Sequence, residues 1–171
     1  MDIKDIIIEL QNRNTRHFRE FYDLTKKQVF SSAIAILGHI PEVEDVVQDT
    51  YLKFVHSCAS FDPNRNVYAY LSTIARNEAI NFYNKQKRIV RSDEYVNSVA
   101  DEATNFTDDI ELEETLNLLD TNDEKEVVRY HIVLEYKFKD IAEIMEKPLG
   151  TVLWIYNKAI KKLRERMKGY E

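Results

Sequence analysis

A chain of 171 residues is long enough for one compact domain or two small ones. Apolar residues make up 44% and charged residues 32%, with only three Gly and three Pro, so a soluble helical protein fits and a turn-rich sheet fold does not. The formal net charge of −6 counts against nucleic acid as a partner for the chain as a whole. Thirteen acidic residues and a single basic one, Lys125, lie between Ser92 and Glu126, however, and the flanking segments together carry +6. Fields are screened beyond about 8 Å at physiological ionic strength, so local patches decide phosphate binding.

The chain opens on charge, MDIKD, and its first apolar run, Ile6 to Ile8, is too short for a secretory signal or a membrane span. From Asp2 to Leu37 the apolar residues recur at helical spacing, through Ile3, Ile6, Ile7, Leu10, Phe18, Phe21, Tyr22, Val29, Phe30 and Ile34. Gly38 and Pro41 punctuate the run. A second helix follows, with Val43, Val46, Val47, Thr50, Tyr51, Phe54 and Val55 predicted on its buried side and Asp45, Gln48 and Asp49 on the opposite face. Glu42, Glu44 and Asp45 suit the positive end of its dipole. Cys58 is the only cysteine, which excludes an internal disulfide and suits a reducing cytoplasm.

Residues from Ser60 to Asn66 read as a loop by composition. A long helix is predicted from about Val67 to Arg88, burying Val67, Leu71, Ile74, Ala75 and Phe82. Tyr70, Thr73, Asn77, Asn81, Asn84, Lys85 and Arg88 occupy its other face. Residues 92–109 form an acidic linker without strong periodicity, either a spacer or a cover for basic faces. Helical spacing returns over Ile110 to Leu119, Asp123 to Leu134, Phe138 to Glu146 and Gly150 to Lys168.

The last two of these helices, joined by a tight break at Glu146-Lys147-Pro148-Leu149, have the spacing of a helix-turn-helix, with Ile141, Met145, Val152 and Ile155 predicted to fill the space between them. The final helix carries Lys158, Lys161, Lys162, Arg164, Arg166 and Lys168 against Glu165 alone, a formal +5 over eleven residues. Two readings fit this run: phosphate binding, or a solvated helix end favoured by the dipole.

The residues Glu126-Val127-Val128, Asp140 to Ile144, Gly150-Thr151-Val152 and Ala159 to Arg164 resemble the fourth conserved region of sigma factors. Glu44 to Phe54, Phe61-Asp62-Pro63, Tyr70-Leu71 and Ile74 to Asn81 resemble the second conserved region of the extracytoplasmic-function (ECF) RNA polymerase sigma factors of the sigma-70 family, at the family's order and spacing. The resemblance covers roughly Phe18 to Arg88 and Leu116 to Met167.

It implies an all-helical chain of two small domains: 1–91 as region 2, 92–109 as the linker and 110–171 as a region 4 helix-turn-helix. By that resemblance Asp45, Gln48, Asp49 and Lys53 bind polymerase, and Phe61, Asp62, Asn64, Arg65, Tyr68, Asn77, Asn81, Asn84, Lys85 and Arg88 bind the minus-ten element. Lys147, Leu149, Thr151, Leu153, Trp154, Asn157, Lys158, Lys161 and Lys162 are placed on the upstream, minus-thirty-five element. The implied partners are core RNA polymerase, through its clamp helices and flap, and promoter DNA, with an anti-sigma protein as a further candidate, no membrane insertion and a cytoplasmic location.

The chemistry fits these assignments. Carboxylates and an amide suit a basic protein partner. A protein that opens DNA without ATP must offset unstacking, about a few kcal/mol per step, by holding the displaced strand on aromatic, amide and cationic side chains. The sequence departs from the family where Leu153, Trp154, Ile155 and Tyr156 replace a basic, polar stretch, where Glu146 stands in place of a turn Gly, and where Asp120 replaces a Pro. An apolar recognition helix either meets thymine methyls or meets protein. The rival readings are a stand-alone helix-turn-helix regulator and a degenerate sigma-like protein acting through protein contacts. No enzyme is expected: there is no glycine-rich phosphate loop, and His17, His39, His56 and His131 are scattered without metal-ligand spacing. No cofactor is called for.

Overall fold

The computed structural model describes residues 1–92 and 107–170, and every described element is helical. The chain divides into two compact units, Met1–Val96 and Asn97–Glu171.

The first unit contains α1 (Ile3–Gln11), α2 (Phe18–Leu37), α3 (Val43–Ser57) with a 3-10 turn at Cys58–Ser60, and α4 (Val67–Ser92). The single helix expected over Asp2 to Leu37 is thus two helices. Asn12 to His17 break it, with Arg13 in the left-handed region at φ 60°. The core is built at helical spacing from Ile6, Ile7, Phe21, Val29, Ala33, Val43, Val46, Val47, Tyr51, Phe54, Val67, Leu71, Ala75 and Ala79. Phe21 stacks on Phe54 with ring centroids 4.9 Å apart, and Tyr51 meets Phe21 edge-on.

Polar groups in this core are satisfied locally. The Thr25 hydroxyl donates to the Phe21 carbonyl at 2.8 Å, which leaves the Tyr51 hydroxyl to donate to Thr25, also at 2.8 Å. Thr50 and Ser32 likewise donate to carbonyls one turn back, Val46 and Gln28. Gly38 ends α2 at φ 72°, a conformation that costs an L side chain, while its N–H closes on the Ile34 carbonyl at 2.8 Å.

The second unit contains α5 (Thr107–Leu116), α6 (Asn122–Val128) running into a π-turn at Arg129–Val133, α7 (Phe138–Met145), and α8 (Leu149–Met167) with a final 3-10 turn. Two boundaries differ from expectation: α4 takes in Ser92, and α5 starts at Thr107, inside the segment read as linker. The rest of the acidic linker lies outside the described residues.

Leu116, Leu119, Val128, Ala159 and Leu163 form one cluster of this core. Ile141, Met145, Val152 and Ile155 are buried, as the spacing predicted, and Ile144 is buried with them. The start of α6 is fixed by a capping box: the Thr121 hydroxyl accepts from the Glu124 N–H and the Glu124 carboxylate accepts from the Thr121 N–H.

Candidate functional site

On α3 the expected trio is exposed: Asp45, Gln48 and Asp49 all face solvent. Two apolar neighbours join them. Val55 was expected in the core and is about half exposed, and Leu52, which sequence reasoning passed over, is equally open. Val55 lies one residue past Phe54 on the helix, so it sits at the edge of the buried stripe, where apolar identity does not decide its side. With Asp45 and Gln48 they line a groove of about 730 Å³ whose apolar wall includes Phe18, Tyr22, Phe30 and Tyr51. Lys53 is exposed beside them, and its ammonium pairs with Glu78 of α4, joining the two helices.

The loop before α4 is internally tied. The Asp62 carboxylate accepts from the Asn64 backbone N–H at 2.9 Å and from its side-chain amide at 3.2 Å. The Asn66 side chain accepts from the Ala69 N–H at 3.2 Å and so caps α4. Phe61, expected at the DNA, is 6% exposed. Its ring packs 4.8 Å from that of Tyr70 and edge-on to Phe54, so it supports the loop from beneath and offers no face to a base. Tyr68 and Asn77 are half-buried, whereas Asp62, Asn64, Arg65, Asn81, Asn84, Lys85 and Arg88 are exposed.

The α3 and α4 sets adjoin. Asp45 and Asp49 from α3 line one cleft of about 350 Å³ with Asn81, Asn84, Lys85 and Arg88 from α4. Glu78, also on this cleft, is the acid that holds Lys53. The α3 side of the cleft is thus carboxylate and the α4 side, apart from Glu78 held by Lys53, is amide and cationic, a division that suits two chemically different partners.

In the second unit, α8 has two polar faces with different fates. Lys158, Lys162 and Arg166, one turn apart, point at the unit's own acids. The Lys162 ammonium lies 2.6 Å from Asp120 and 2.7 Å from Glu124. Arg166 reaches Asp120 at 2.9 Å, and Lys158 reaches Glu124 at 3.7 Å. Lys147, in the turn, pairs with Asp123 at 3.2 Å.

These contacts shift the groups involved. Hydrogen bonds from Lys162, then Arg166, hold the Asp120 carboxyl below its ordinary value. Burial works to raise Glu124, but the Lys162 bond and the N–H groups of Asp120 and Thr121 outweigh it, so it too titrates low. Lys162 is raised, by Asp120 first and Glu124 second. Lys162, placed on the upstream element by the family resemblance, here pairs with Asp120 and Glu124 and has only 21% of its side chain exposed.

The other face of α8 is open. Leu153, Trp154, Asn157, Lys161 and Arg164, with Lys168 just past the helix end, are exposed opposite buried Val152, Ile155, Ala159 and Leu163, and Thr151 is exposed in the first turn. Leu149 is exposed at the first turn. Tyr156 points elsewhere, meeting the rings of His131 and Phe138 at 4.9 Å. Glu146, the residue in the turn Gly position, ends α7 with a left-handed backbone at φ 53°.

No helix among the described residues is long and apolar enough to cross a membrane.

Residues 21–89 match the profile of sigma-70 region 2. Over its length the chain is 25% identical to the ECF RNA polymerase sigma factor SigW of Bacillus subtilis, with 98% of each protein aligned. It is 30% identical to the ECF RNA polymerase sigma factor EcfG of Rhodopseudomonas palustris over 77% of this chain and 74% of that protein. Among solved structures it is similar to the sigma factor RpoE, crystallised with the anti-sigma factor NepR from Bartonella quintana. The TM-score is 0.73 at 27% identity, covering 90% of this chain and 98% of that one.

Proposed function

Because the chain belongs to the ECF RNA polymerase sigma factors of the sigma-70 family, a family of transcription initiation factors and not of catalytic enzymes, we propose a division of labour among its helices. The exposed face of α3 docks on core RNA polymerase. Asp45, Gln48 and Asp49 supply charge-assisted hydrogen bonds to a basic surface, and Leu52 and Val55 supply apolar area between them. The loop from Asp62 to Asn66 and the exposed face of α4 take the minus-ten DNA. Asn81 and Asn84 offer paired donors and acceptors to base edges, and Lys85 and Arg88 offer charge to phosphates. The second unit grips duplex upstream through the α7–α8 helix-turn-helix, and the acidic segment between α4 and α5 links the two. The clamp helices and the flap of the polymerase are the docking surfaces this reading names, and the cytoplasm is where it places the chain.

One observation carries the reading: the α3 carboxylates and the α4 amides and cations line a single cleft, so a chain docked on polymerase by one helix presents the other to strands at that surface. An anti-sigma protein is a candidate partner for the α3 groove. RpoE was captured with such a factor, and the groove has the apolar wall and carboxylate rim a protein ligand needs.

The test is reconstituted transcription with core polymerase and genomic DNA. Defined start sites are expected with the intact chain. Asp49→Lys is expected to reduce them through polymerase binding weakened about tenfold. Asn81→Ala is expected to leave polymerase binding intact and reduce strand opening, read by permanganate reactivity of unpaired thymines. Start sites unaffected by either change would refute the assignment. Duplex binding with full specificity in the absence of polymerase would favour a stand-alone regulator.

A further inference from the structure

We propose that Leu153 and Trp154 make this chain select a thymine-containing upstream element, read through the 5-methyl groups of its thymines. The inference rests on the reading that α8 is the helix entering the upstream duplex, and it names what that helix recognises there.

The open face of α8 changes character along its length. Leu153 is 37% exposed and Trp154 62%. Asn157 follows one turn on, and Lys161, Arg164 and Lys168 complete the same face. These three cations make no ion pair among the described residues, whereas Lys158, Lys162 and Arg166 are committed to Asp120 and Glu124. The face thus runs from apolar at the helix start, through one amide, to cationic at the helix end.

Duplex DNA has the matching order of groups. A recognition helix meets base edges with its N-terminal residues. Cations further along can then reach phosphates. In the major groove the one apolar group that a base pair presents is the thymine methyl. The side chains of Leu153 and Trp154 cannot supply the paired donors that read guanine O6 and N7, since leucine has no donor and indole has only one. Asn157 is the side chain on this face suited to bidentate contact with adenine N6 and N7. Adenine and thymine share a base pair, so the amide and the two apolar groups converge on A·T steps. The Lys158 ammonium lies 4.9 Å from the Trp154 ring centroid, a contact that restrains the indole while most of it stays exposed.

The experiment uses the full chain assembled with core polymerase. Upstream elements are selected from duplexes randomised over that segment, and the selected duplex is then remade with deoxyuridine in place of each thymidine there. That exchange removes the methyl groups and keeps every hydrogen-bonding group. Thymine enrichment is expected, and the deoxyuridine duplex is expected to bind about tenfold more weakly, as for loss of two methyl contacts. With Trp154→Ala or Leu153→Ser alone the difference between the two duplexes is expected to shrink to about threefold to fourfold, and with both changes the two duplexes are expected to bind alike, while Lys161→Ala weakens both equally.

Selected elements that bind equally well with and without methyl groups would overturn the inference and leave upstream binding standing. No enrichment upstream, together with no effect of Lys161→Ala, would overturn both the inference and the placing of α8 on DNA. Loss of polymerase binding in Trp154→Ala, with methyl dependence absent, would instead assign the patch to protein.

Discussion

Gln11 holds Phe61 in place: its side-chain Nε2 donates to the Phe61 carbonyl oxygen at 2.7 Å and to that of Cys58 at 2.9 Å. One amide thereby ties the end of α1 to both ends of the 3-10 turn that leads into the minus-ten loop. Removing it in Gln11→Ala leaves the Phe61 carbonyl, in a partly buried site, without this donor. The expected cost is about 1 kcal/mol, or roughly 4–8 °C in the melting temperature of the first unit. Gln11→Glu is expected to be worse, because a carboxylate would face two carbonyl oxygens. Hydrogen exchange over residues 58–66 would read the loosening directly, and unchanged protection there would count against a clip.

The α3 face makes a separable prediction. Asp49→Lys and Leu52→Ser alter exposed groups and are expected to leave folding unchanged while weakening core polymerase binding, each by about tenfold, or roughly 1.4 kcal/mol. Lys53→Met is expected to behave in the opposite way. Its ammonium is held by Glu78, so the change lowers the stability of the first unit and spares polymerase affinity. Titration of labelled chain with core enzyme, set beside thermal melts, separates the two effects.

These contrasts mark where the sequence could be read and where it could not. The period of 3.6 residues located α3 and α4, because their buried stripes are long and their polar faces continuous. It could not assign Val55, which borders both faces, or Phe61, where family order suggested DNA but ring packing on Tyr70 and Phe54 encloses the side chain. It ran α1 and α2 together, because the break at Asn12 to His17 contains neither Gly nor Pro and relies on a left-handed Arg13. The cations of α8 were legible as a run but not as two faces. Their pairing is set by Asp120 and Glu124, which lie 42 and 38 residues from Lys162 in sequence. A tertiary contact at that separation has no local signature. Asp120, a departure from the family's Pro, acquires a role only once that contact is seen.

The two faces of α8 predict different consequences for neighbouring lysines. Lys161→Ala removes a cation with no ion pair among the described residues. It is expected to lower the salt dependence of upstream DNA binding by about 0.9 in the slope of log K against log salt, with stability unchanged. Lys162→Ala takes the nearest cation from buried Glu124, leaving Lys158 at 3.7 Å, and is expected to destabilise the second unit, while changing the salt slope much less. Equal salt slopes for the two variants would show that both lysines reach phosphate.

The same network gives the second unit a pH window. Asp120 and Glu124 have folded values below their unfolded ones, so the stability they contribute is present above about pH 4 and is lost as pH falls through the lowered values. Lys162 is raised, so its contribution is complete below about pH 10 and disappears as pH rises through the raised value. Denaturant melts of the second unit are expected to hold steady across the neutral range and to fall below about pH 4. Glu124→Gln should flatten the acid limb, at a cost of roughly 2 kcal/mol near neutrality, from the lost charge partner and weakened cap. An acid limb unchanged in Glu124→Gln would place the titrating group elsewhere.

Glu146 bears on the join between α7 and α8. It ends α7 at φ 53°, and its N–H reaches back to the Glu143 carbonyl at 3.3 Å while that of Lys147 closes on Ala142 at 3.0 Å. A left-handed backbone costs an L residue roughly 1–2 kcal/mol, and glycine occupies it without that penalty. Glycine also gives up more freedom on folding, by roughly 0.5–1 kcal/mol, so the net gain from Glu146→Gly is expected to be about 0.5–1 kcal/mol. Glu146 is exposed, and nothing else rests on its side chain that would reverse the sign. Glu146→Ala keeps the strain and should leave stability within about 0.5 kcal/mol of the parent. Chemical denaturation of the three chains decides it. A Gly variant no more stable than the Ala variant would mean that the left-handed turn is not what limits this join.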